Sequence, residues 1–122
     1  MTTGLARRDS ATELDYYLLH AAKNDAPVVG LLVEEFVLTD DLCAARLRSA
    51  GWTPADGGWW SSSAFARAVR SDPALRARLT AVDRSTAEAT YRRLGGGALP
   101  DEDALRGRFR DDLRLKRVRR CG

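Results

Sequence analysis

The chain has 122 residues, is 44% hydrophobic and 30% charged, and carries a formal net charge of +3. This length fits one domain or two small halves sharing a core, and it buries enough surface to fold without metal or disulfide support. The composition is too apolar for a wholly disordered chain, and no run approaches the ~20 apolar residues of a membrane-spanning helix.

The N-terminal MTTGLARRDS lacks the apolar core of a signal peptide, and Cys43 and Cys121 lie far apart in sequence. A cytoplasmic protein without a structural disulfide is expected. The charge is uneven: residues 1–60 hold five basic and nine acidic side chains, and residues 61–122 hold fifteen and eight. An anionic partner would meet the C-terminal end first.

In chain order, Ser10 to Glu13 has capping-box spacing. Leu14, Tyr17, Leu18, Ala21 and Ala22 then follow at helical intervals, predicting an amphipathic helix over 11–24. The apolar run VVGLLVEEFVL at 28–38 fits a buried helix or a strand by periodicity alone. Val28, Val29, Val33 and Val37 favour a strand. No second run offers an evident partner strand, so a central buried helix is expected. DLCAARLRSA at 41–50 reads as a third helix, capped by Thr39 or Asp40 and stopped by Gly51. The loop WTPADGG follows and marks the best boundary, dividing an acidic region, 1–58, from a second region, 59–122. The two regions can also form one compact domain with a shared core.

Beyond the boundary, Ser61 or Ser62 can cap a helix carrying Phe65 and Val69. Asp72 and Pro73 begin another, with Leu75, Leu79 and Val82 on one stripe. Ser85 to Glu88 opens a third that ends at Gly95-Gly96-Gly97. Asp101 caps a last helix with Leu105, Phe109 and Leu113 on one face, running into the basic C-terminus. The fold class expected is all-α, a small bundle of six or seven short helices.

Residues 61–113 resemble a Nif11-type domain, the helical module of nitrogen-fixation-associated small proteins and of some peptide-precursor leaders. The resemblance rests on the serine before Phe65, on Ser71-Asp72-Pro73 followed by Leu75 and Leu79, on Ser85 to Glu88, on the glycine after Leu94, and on Asp101 to Leu105. It implies a recognition module bound by another protein, such as a peptide-modifying enzyme. Two features depart from the family's precursor pattern. The Gly95-Gly96-Gly97 run leads into a charged segment instead of a core rich in Cys, Ser and Thr, and some sixty residues precede the module.

Weak catalytic candidates are His20, the sole histidine, its neighbours Tyr16 and Tyr17, and Cys43, whose place in the first turn of a helix would favour a thiolate. Packing explains Cys43 better, since it shares a stripe with Leu47. Glu34–Glu35 and Asp40–Asp41 are adjacent carboxylates, which point about 100° apart on a helix and so make poor catalytic pairs. His20, Cys43 and Cys121 lack zinc-ligand spacing, and no phosphate-binding glycine motif is present, so neither metal nor cofactor is expected.

Trp52, Trp59 and Trp60 surround the glycine-rich loop and suit either a partner-binding surface or a packed junction. Arg114, Lys116, Arg117, Arg119 and Arg120 could neutralise phosphates. The leading expectation is a noncatalytic recognition or accessory protein that docks another protein through a helical surface near the tryptophans. The alternatives are a nucleic-acid-binding regulator, a small biosynthetic enzyme and an atypical ribosomal peptide precursor.

Overall fold

The computed structural model describes residues 14–38, 44–61, 63–109 and 112–116. Three strands, β1 (Leu14–His20), β2 (Val28–Leu38) and β3 (Ala44–Thr53), form an antiparallel meander, and β4 (Gly58–Trp60) folds back on β3 through a tight turn. Helices α1 (Ser63–Ser71) and α2 (Pro73–Arg76) lead to β5 (Leu79–Val82), and α3 (Arg84–Arg93) and α4 (Glu102–Arg106) lead to β6 (Asp112–Lys116). β5 pairs with the outer edge of β1, while β4 and β6 share the outer edge of β3. The described residues thus form a six-stranded antiparallel sheet with four short helices.

The all-α helical bundle expected from the sequence is therefore corrected to a mixed fold built on a sheet. Each misread segment has a physical reason. In β1, Leu14, Tyr17 and Leu18 satisfy a helical interval, yet Leu14 and Tyr16 are buried and Asp15 between them is exposed, which is strand alternation. In β2, Leu31, Leu32 and Val33 are all buried, because the sheet is covered on both faces at its centre and the polar alternation that marks a strand disappears. The partner strands that 28–38 lacked are its two neighbours, both read as helices. Ala44–Thr53 is rich in helix formers, but pairing with β2 from Ala45 to Trp52 overrides that preference.

Gly51 is not a helix stop. It lies in β3 opposite Trp60, and a Cβ added there would sit 2.4 Å from the indole, so the position is bare to admit the ring. Similarly, a Cβ on Gly30 would lie 2.3 Å from the Trp52 carbonyl oxygen.

The later helices lie near their predicted positions, and those begun by Asp72 and Asp101 are shorter than expected. Asp72 caps α2 through the Ala74 amide, with Pro73 in its first turn, and Asp101 caps α4 through the Ala104 amide at 2.8 Å. The cap of α3 is Asp83, which accepts from the Thr86 amide at 2.8 Å, in place of Ser85. Leu79 to Val82 is a strand where a continued helix was expected. The predicted basic C-terminal helix is also corrected, because α4 ends at Arg106 and DLRLK, whose apolar residues alternate with charged ones, forms β6. The expected division between residues 58 and 59 falls within β4. The expected helix start at 11–13, Thr39 to Cys43 and residues 117–122 lie outside the described residues.

One face of the sheet presents Tyr16, Leu31, Val33, Ala50 and Trp52 to Ala87 and Tyr91 of α3, with Leu99, Leu105 and Phe109 completing the main core. Leu105, with no exposed surface, is the kind of residue whose burial contributes about 1.5–3 kcal/mol. On this face Glu35 accepts from Arg48 at 2.7 Å and from Arg106 at 2.8 Å, tying α4 to the strands. Arg84 donates to the Tyr16 hydroxyl at 2.8 Å and to the Pro100 carbonyl at 2.8 Å, tying α3 and the loop before α4 to β1. The opposite face packs Leu47 of β3 against Ala66 of α1. The sheet is thus clamped from both sides.

Candidate functional site

The turn between β3 and β4 is built from Thr53 onward. The Thr53 hydroxyl donates to Asp56 Oδ2 at 2.7 Å and accepts from the Asp56 amide at 3.2 Å, closing a 3-10 turn over Pro54–Asp56. Gly57 then takes φ 75°, a left-handed conformation that favours glycine. This turn sets the register Trp52↔Trp59 and Gly51↔Trp60. Because successive strand residues face opposite ways, the adjacent Trp59 and Trp60 separate to the two faces of the sheet.

Trp59 joins Trp52 and Tyr91 on the α3 face, with ring centroids 6.4 Å from Trp52 and 5.7 Å from Tyr91; the Trp52–Tyr91 distance is 4.5 Å. Trp60 lies over Gly51 and meets Phe65 of α1 edge-on at 4.9 Å. Trp52 is 6% exposed and anchors the core, whereas Trp59 and Trp60 are half-buried. Both of their indole nitrogens are buried without a hydrogen-bond partner among the described residues.

Three depressions border the turn. The first, about 440 Å³, lies between the turn and the glycine run after α3, lined by Trp52, Pro54, Trp59, Tyr91, Gly96 and Arg108. Gly95 at φ 98° lets the chain turn away from α3, and Gly96 packs so closely on Tyr91 that a Cβ would lie 2.5 Å from its ring. The second, also about 440 Å³, lies along Asp56 to Trp60. The third, about 480 Å³, is walled by Val28, Val29, Pro54, Ala55 and Leu94. Together they make an indented, partly aromatic surface around one rigid turn.

The catalytic candidates among the described residues do not converge. His20 is buried, and its Nδ1 lies 2.7 Å from the Ala26 carbonyl oxygen. A carbonyl only accepts, so Nδ1 carries the proton and donates, while Nε2 shares a hydrogen bond with the Thr80 hydroxyl at 2.9 Å. Both nitrogens are engaged, which makes this histidine a structural pin between β1, β5 and the turn before β2. Tyr16 donates to Glu102 at 2.9 Å and accepts from Arg84. Burial raises its phenol above the ordinary range, opposed by the Arg84 hydrogen bond. Tyr17 lies on the opposite face, where burial and the Glu34 charge raise its phenol. Cys43, Asp40 and Asp41 lie outside the described residues, and Glu34 and Glu35 point to opposite faces. Among the described residues no group of three or more His, Cys, Asp or Glu side chains could hold a metal ion.

No protein-family model, curated protein or solved structure matches the chain. The resemblance of residues 61–113 to a Nif11-type domain gains no support from these comparisons, and β5 and the start of β6 lie within that stretch. No described helix is long and apolar enough to cross a membrane.

The three tryptophans singled out in sequence do lie near one another, with Trp52 and Trp59 on one face and Trp60 on the other. Sequence reasoning missed Tyr91, Pro54 and Arg108 as groove walls. The available signal was the glycine run directly after the Tyr91 helix, which was read as a helix stop only. Arg114 and Lys116 lie in β6, and Arg117, Arg119 and Arg120 lie outside the described residues.

Proposed function

We propose that this chain is a noncatalytic, cytoplasmic recognition or accessory protein that binds a partner protein at the indented surface around the β3–β4 turn. The observation that carries the reading is the meeting of three depressions at one hydrogen-bonded turn, lined by Trp59, Tyr91 and Pro54 with Arg108 at the rim. Tryptophan, tyrosine and arginine dominate interface hot spots because they combine large buried area with a polar handle. A preformed turn loses little conformational freedom on docking, so more of the contact energy appears as affinity. His20 and Tyr16 are engaged by hydrogen bonds within the fold, which favours this reading over an enzyme.

The test begins with capture of the partner from the host, followed by calorimetry on the purified pair. Ala55→Arg and Arg108→Glu alter exposed rim positions. Each is expected to weaken binding about tenfold, equivalent to about 1.4 kcal/mol. Arg93→Glu, on exposed α3 surface, should leave it unchanged. Equal affinity for all four proteins would exclude the turn as the docking site.

A second reading, polyanion binding, has one observation in its favour. The β3–β6 register sets Arg46 directly opposite Arg114, with Ala44 opposite Lys116. This register gathers basic residues on two paired strands, and clustered cations attract phosphate. Replacing Arg46 and Arg114 with alanine should then flatten the salt dependence of RNA or DNA binding; a protein that binds neither at low salt excludes this reading.

A further inference from the structure

A second cleft lies on the opposite face of the sheet from the Trp59–Tyr91 groove. It encloses about 200 Å³ between β1, β2, β5 and the two helices that follow β4. Val69, Leu79 and Ala81 supply apolar wall, and Tyr17, Glu34, Arg70 and Arg76 supply polar groups.

Glu34 is the unusual member. Its side chain is 2% exposed, and Oε1 accepts from Arg70 Nη2 at 2.9 Å. Oε2 is buried with no hydrogen-bond partner among the described residues, and so is Arg70 Nε. Leaving one buried polar group unpaired costs about 1–3 kcal/mol, and native chains rarely leave such groups without a partner. Here an acceptor and a donor are unpaired in the same ion pair, beside a cavity.

The missing complement can be read from the chemistry. Oε2 requires a donor, Arg70 Nε requires an acceptor, and Arg76 on the exposed α2 brings a second cation. Glu34 and the neighbouring Asp15 balance Arg70 and Arg76, so the ligand is neutral overall and carries an anionic group for the arginines as well as a donor for Glu34. At about 30 Å³ per water, the cavity holds roughly seven water-sized volumes, which limits the ligand to a small molecule.

We propose that this cleft binds a small aliphatic α-amino acid. Its ammonium donates to Glu34 Oε2, its carboxylate accepts from Arg70 Nε and faces Arg76, and its side chain lies against Val69, Leu79 and Ala81. The site goes beyond the partner-docking reading and shares no residue with that groove.

The test is calorimetric titration of the full chain with L-valine and L-leucine, alongside isobutylamine and isovaleric acid, which each keep one of the two charged groups. The amino acids should bind at least about tenfold more tightly than either analogue. Arg76→Ala, at an exposed position, should weaken them about tenfold, as should Glu34→Gln. Arg93→Ala, remote from the cleft, should leave affinity unchanged. If Glu34→Gln fails to fold, Arg76→Ala still decides. Absence of amino-acid binding at millimolar concentration, equal binding of isovaleric acid, or affinity unaffected by Arg76→Ala would overturn the proposal. The first of these outcomes would leave partner docking at the β3–β4 turn untouched.

Discussion

Glu34 has a measurable consequence for stability. Burial is the largest influence on its carboxyl and raises it above the ordinary 4.5, with Arg70 opposing and Asp15 adding to the rise. Above pH 4.5 the unfolded chain therefore releases this proton before the folded protein does. Stability from this group is greatest below pH 4.5 and is lost as pH rises through the folded value, then levels off. In urea unfolding across that range, wild type should lose stability relative to Glu34→Gln as pH increases; parallel profiles would show that burial does not govern the group. His20 gives a second test at this scale. Its two hydrogen bonds join Ala26 to Thr80, and His20→Leu leaves both partners unpaired. The expected cost is about 2–3 kcal/mol, read as a lower urea midpoint. An unchanged midpoint would mean the imidazole is replaceable packing.

Among elements, β3 depends on two close approaches. Gly51 admits the Trp60 ring, and Gly51→Val should cost about 2–3 kcal/mol by displacing it. The near-UV circular dichroism of the tryptophans should change at the same time. Gly30→Val should be worse still, since the obstacle is the Trp52 backbone rather than a side chain. The helices were more legible in sequence than the strands, because caps such as Asp72-Pro73 and Asp101 act locally and leave a short signature. The strands β1 to β3 were not legible, because their buried centre is apolar on both faces and their identity depends on one another. A lone segment such as 44–53, full of alanine, leucine and arginine, carries no mark of the partner that makes it extended. The Trp-lined site was legible in part: the tryptophans were visible, but Tyr91 and the glycine run join them only through the α3 packing.

For the whole molecule, both faces of the sheet are covered at the centre, and the core of one face draws on segments from Leu14 to Phe109. Amide exchange should be slowest along Leu31–Val33 and Tyr16–Leu18, where pairing lies on both sides, and fastest in α2, whose four residues have no fully buried side chain. Uniform protection across these elements would contradict the layering described. At this scale the two sites are separated by the sheet itself: the aromatic groove lies on the α3 face and the Glu34 cleft on the α1 face. The β3–β4 turn is the proposed docking site of a partner protein. The most direct test is amide chemical-shift mapping of the isotope-labelled chain with its captured partner. The expected result is that the largest changes fall at Thr53–Trp60 and Gly95–Gly97, together with the Trp59 indole signal. Changes confined to α1, α2 and β5, with the turn unmoved, would contradict it.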